Sequence, residues 1–78
     1  MKTEKEFLED QYEQAKRNIS FLEVDNRFLE REKLAVGQSK LTDIQNGISA
    51  NKSKIDYWER RAEVVADTYK EKFKEELK

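Results

Sequence analysis

Along this chain the apolar residues return every seven positions. Leu8, Ala15, Leu22, Leu29 and Val36 form one series, with Tyr12, Ile19, Asn26 and Lys33 interleaved at the complementary spacing. That is a heptad register with the first series at d and the second at a, the pattern of a helix that packs along a narrow seam. A second run reads Leu41, Ile48, Ile55, Ala62 and Tyr69 at a, with Ile44, Asn51, Trp58 and Val65 at d. The five-residue step from Val36 to Leu41 fits neither heptad spacing nor one face of a straight helix, so a break falls there. Gly37 is read as the residue that ends the first helix, and Ser39 or Thr42, the latter followed by Gln45, as the cap of the next. The pattern predicts one domain over residues 1–78, with a helix over about 3–36, a turn over about 37–39 and a helix over about 40–77. A connection this short forces neighbouring helices to run antiparallel.

Folding the chain about that turn pairs residues whose numbers sum to 77. Leu8 then meets Tyr69, Leu22 meets Ile55, Leu29 meets Ile48 and Lys33 meets Ile44. Asn26 falls opposite Asn51, where two amides satisfy one another and penalise a slipped register. Asn26, Asn51 and Lys33 are therefore read as polar seam residues that set register. The flanks are complementary as well, with Glu23 expected near Lys52, Lys16 near Glu59 and Asp25 near Lys54. One repulsive contact is expected, Glu4 near Glu75. The competing topology puts the turn in Gln45–Asn51, where Asn46-Gly47 is a turn signal. It forfeits the asparagine match.

The fold class is thus all-α, a two-helix antiparallel coiled-coil hairpin, expected either to associate into a four-helix bundle or to dock on a larger assembly. Composition supports long helices: 42% of residues are charged, proline is absent and glycine occurs twice. The periodic aromatics (four Phe, three Tyr, one Trp) oppose disorder. A net charge of -1 gives no bulk attraction for a polyanion or an anionic membrane. No stretch approaches the roughly 18 apolar residues of a membrane span, and the N-terminal residues lead into no apolar signal region. The expected location is the cytoplasm, or a phage particle or similar assembly, and the Lys, Glu, Asn and Ile content suits an AT-rich bacterial or phage genome.

Chemistry is sparse. Neither His nor Cys occurs, which removes the usual general base and the commonest metal ligands and nucleophiles. No glycine-rich phosphate loop exists, and the carboxylates fall on solvated helix faces. The sequence therefore predicts no catalytic residue, no cofactor and no metal, and a protein that is not an enzyme. Arg60 and Arg61 beside Trp58, followed by Lys70, Lys72 and Lys74, resemble a basic patch. Acidic residues interleave with them at helical spacing, which argues against nucleic acid as the partner.

One feature points to function. Phe7, Phe21 and Phe28 of the first helix, and Ala50, Tyr57 and Val64 of the second, stand at c, outside the seam, and Val24 adds to the edge. In an antiparallel pair the two c stripes flank one side, giving an apolar face larger than small monomers show. The expected partner is a protein, either a second copy or a larger assembly. The alternative is a small regulatory binder, an inhibitor or co-chaperone, of a larger protein.

Overall fold

The computed structural model describes residues 2–77. Two helices account for almost all of them, α1 over Glu4–Ala35 and α2 over Gln38–Phe73, with only Val36 and Gly37 between. They lie side by side as an antiparallel hairpin measuring 53 × 19 × 19 Å. Every a and d residue from Leu8 to Val36 and from Leu41 to Tyr69 is buried or half-buried. Within one chain the hairpin is what takes both heptad series out of water at once, because each helix has the other as its single long neighbour.

α1 starts at a cap that the heptads do not reveal. The Thr3 hydroxyl accepts the backbone N–H of Glu6 at 3.1 Å and donates to the Glu6 carboxylate, also at 3.1 Å. Thr3-Glu4-Lys5-Glu6 is a Thr-x-x-Glu capping sequence, and the acidic Glu4 and Glu6 suit the positive end of the helix. The turn is tighter than the expected 37–39. Val36 and Gly37 are both extended, Gly37 at φ -77°, so the glycine does not adopt the left-handed conformation expected of a helix-ending residue. It serves instead as the N-cap of α2. Its carbonyl accepts the Lys40 N–H at 3.1 Å, and no side chain caps this end. Ser39 and Thr42 consequently lie inside α2 and not at its cap.

α2 runs without interruption through Gln45–Asn51, which excludes a turn there. Gly47 faces α1, and a Cβ built on it would lie 3.4 Å from Leu29 Cδ1. The missing side chain gives Leu29 room. At its far end α2 stops at Phe73, four residues short of the expected 77. Lys74 takes the left-handed conformation, φ 57°, and its N–H closes on the Lys70 carbonyl at 2.9 Å. That reversal lets Leu77 fold back against the cluster of Leu8, Val65 and Tyr69, where Tyr12 and Phe73 also pack. Burial of this apolar group, at roughly 25 cal/mol per Å², holds the open end of the hairpin together.

Ala15 is wholly buried, whereas Ile19, Leu22, Leu29, Ile55 and Trp58 are only half-buried. A pair of helices shares one interface, so most seam side chains keep an edge in solvent.

A candidate interaction face

Polar contacts establish which edges of the helices meet. Arg61 Nη2 donates to Gln11 Oε1 at 3.0 Å, joining the g position of one helix to the g position of the other. In the seam itself Asn51, buried, donates Nδ2 to Asn26 Oδ1 at 2.9 Å and to Asp25 Oδ2 at 2.7 Å. Asp25 also stands at g. Because c adjoins g on a helical wheel, the c stripes of α1 and α2 lie on the side where these g edges touch.

That side is apolar and open. Phe21 is 68% exposed, Phe28 61%, Tyr57 55% and Val64 64%, and Phe7 and Val24 are exposed as well. Ala50 shares the face and is exposed. Tyr57 packs edge-on against the half-buried Trp58, ring centroids 5.1 Å apart. Along α1, Phe21, Val24 and Phe28 follow one another at helical spacing, and Val24 and Phe28 border a shallow depression with Arg27, Glu30 and Arg31.

Charge marks the same side. Between Phe7 and Phe28 and between Gly47 and Thr68, the c and g positions carry only three charges, Asp25, Lys54 and Arg61. Over the same length the b and e positions of the opposite side carry nine. Over this length the two sides of the hairpin therefore differ in polarity, and the difference ends at Glu32, Lys40, Asp43 and Glu71.

The flanking ion pairs differ from expectation. None of Glu23 with Lys52, Lys16 with Glu59 or Asp25 with Lys54 closes among the described residues. Asn51 engages the Asp25 carboxylate instead, and Lys16 lies over the Tyr12 ring at 5.1 Å. Glu4 and Glu75, expected to repel, are each neutralised by a lysine from the opposite helix. Lys72 pairs with Glu4, and Lys5 pairs with Glu75 at 3.0 Å while sitting over the Tyr69 and Phe73 rings. The two lysines stand at seam positions, Lys5 half-buried and Lys72 exposed. Hydrogen bonding to Lys5 holds the Glu75 carboxyl below the usual glutamate range, and the same bond raises Lys5. Lys33, the remaining seam lysine, is half-buried and lies 3.9 Å from Glu30 on its own helix.

The residues of the basic patch have neighbours of their own. Arg60 pairs with Asp56 at 3.2 Å, Arg61 with Gln11, and Lys70 with Glu76 at 3.5 Å. Among the described residues no group of acidic side chains is arranged to hold a metal ion, and no helix is long and apolar enough to cross a membrane. Leu34, 89% exposed, is an apolar residue that heptad reading passed over. It stands at b, on the edge away from the phenylalanine stripe. No family model, curated protein or solved structure matches this chain.

Proposed function

We propose that this hairpin is a non-catalytic protein-protein interaction or assembly module, and that its working surface is the face carrying Phe21, Phe28, Tyr57 and Val64. The observation that carries this reading is the coincidence of two asymmetries: the exposed aromatic side chains and the scarcity of charge fall on one side of the hairpin. Large aromatics held on rigid helices are the residues that dominate binding energy at protein interfaces. Both helices are anchored independently of this face by the a and d layers, so the surface stays in place whether or not a partner is bound.

The test is a triple variant, Phe21→Ser, Phe28→Ser and Tyr57→Ser. All three positions lie outside the seam, so helical circular dichroism and melting of the dilute protein should be retained. Association should be lost. A variant that associates as strongly as the wild type would assign the interaction to another surface.

A further inference from the structure

Resting on that reading of the face, we infer that its occupant is a second copy of this chain, packed with the two turns at the same end so that α1 of each protomer lies against α2 of the other. Three matches across the face lead there. A two-fold axis parallel to the hairpin sets each α1 position opposite the α2 position of the partner at the same height. Asp25 then faces the partner's Lys54, twice over by symmetry. In the single chain Asp25 Oδ2 accepts from Asn51 Nδ2, and Lys54 takes part in no ion pair among the described residues. Lys54 and the second carboxylate oxygen of Asp25 therefore have no partner within the single chain among the described residues.

Size matches as well. Phe28, the large side chain nearest the turn, comes opposite the partner's Gly47 and the partner's Ala50, the smallest residues of the α2 face. Phe21 comes opposite the partner's Tyr57, placing ring beside ring. The alternative two-fold axis, perpendicular to the hairpin, would lay α1 on α1. Stacking Phe21 and Phe28 on their counterparts would centre that overlap near residues 24 and 25, bringing the two Asp25 carboxylates together and, on the other pair of helices, the two Lys54 ammonium groups. Like charges at a symmetry axis oppose that arrangement. The face is of a size to match. From Phe7 to Phe28 it runs about 32 Å at 1.5 Å per residue, and across the 19 Å width of the hairpin that is about 600 Å², the low end of what each partner contributes to a specific interface.

The chain has no cysteine, so Ser39→Cys places one spin label per protomer beside the turn. Sedimentation of the full chain should give a dimer. Label-to-label distances should be about 20–30 Å, the width of a four-helix bundle with its label arms. Phe28→Glu should weaken dimerisation by at least about 30-fold with helicity unchanged. Asp25→Lys and Lys54→Asp should each weaken it by about tenfold, two contacts being reversed per dimer, and the double exchange should restore it. Label distances of about 40 Å or more, as the perpendicular axis requires at 1.5 Å rise per residue, would overturn the arrangement. If Phe28→Glu still dissociated such a dimer, the face would stand as the interface. A chain that stays monomeric at every concentration would overturn self-association while leaving the face open to a different protein. A dimer indifferent to Phe28→Glu would overturn both readings.

Discussion

The amide of Asn51 reaches across the hairpin and donates to the side-chain oxygen of Asn26 at 2.9 Å, joining the two helices in the half of the seam nearer the turn, between layers of leucine and isoleucine. Asn51 is buried, and its second contact, to Asp25, makes it the most heavily bonded seam side chain. A one-layer slip of either helix would put this amide against leucine or isoleucine and leave it unsatisfied.

Two experiments separate stability from specificity at this pair. Asn26→Ala should cost about 1–3 kcal/mol, because a buried donor loses its seam partner. Replacing both asparagines with leucine should raise the melting temperature, since the polar groups are removed together, and should relax the register. Duplicated amide resonances in the leucine pair would report the alternative registers. A single sharp set of resonances would show that the turn alone fixes alignment.

Overpacking tests the tightest layer. Ala15 is completely buried, so Ala15→Leu should push the helices apart and cost about 1–3 kcal/mol. Leu22→Ala should cost about 2 kcal/mol, the low end for leucine truncation, because Leu22 is only half-buried. Arg31→Ala, on the outer surface, should change little. Equal shifts in chemical denaturation for the three variants would contradict the register.

A glycine occupies the negative-φ position at the turn, and a lysine occupies the left-handed position at the end of α2. Gly37 sits at φ -77° with nothing near the place of a Cβ, and α2 has neither a side-chain cap nor an acidic residue in its first turn. Gly37→Asp should therefore stabilise by about 0.5–1 kcal/mol, through a capping oxygen, the helix dipole and a less flexible unfolded chain. Lys74 at φ 57° carries a conformational penalty that glycine avoids, so Lys74→Gly should add a similar amount. The two sites lie at opposite ends of the hairpin, and their effects on thermal unfolding should be additive.

The heptads made the fold legible because burial is the strongest constraint on each helix, and every a and d position from Leu8 to Tyr69 lies in the seam. The ends were less legible. The Thr3 to Glu6 cap has a sequence signature that the seven-residue pattern does not contain. Gly37 was assigned a conformation from its identity alone, whereas the turn used it as an N-cap. The flanking contacts were harder still, since charge pairing alone points Asp25 to Lys54, whereas a part-buried amide, Asn51, engages it at 2.7 Å. Position c showed which side chains would be exposed. It could not show what covers them, because a single chain carries only half of that interface.

The open end supplies a prediction about pH. Glu75, bonded to Lys5 at 3.0 Å, titrates below the ordinary glutamate range, and Lys5 titrates above the ordinary lysine range. For a carboxylate lowered on folding, the stabilisation is present above the unfolded value and disappears as pH falls through the folded one. For a lysine raised on folding, it is present below the unfolded value and disappears as pH rises through the folded one. The pair should therefore fasten the open end between the acid range and the high-pH limit of lysine, and release it on either side. Both side chains are exposed to solvent, so added salt should weaken the link. In a carboxyl-carbon NMR titration Glu75 should be the last of its neighbouring glutamates to protonate, and Lys5→Gln should bring it back among them. Amide exchange near Tyr69 and Phe73 should quicken in the same variant as the open end frays. A Glu75 that titrates with the other glutamates in the unaltered protein would mean that the lysine and the acid do not meet in solution.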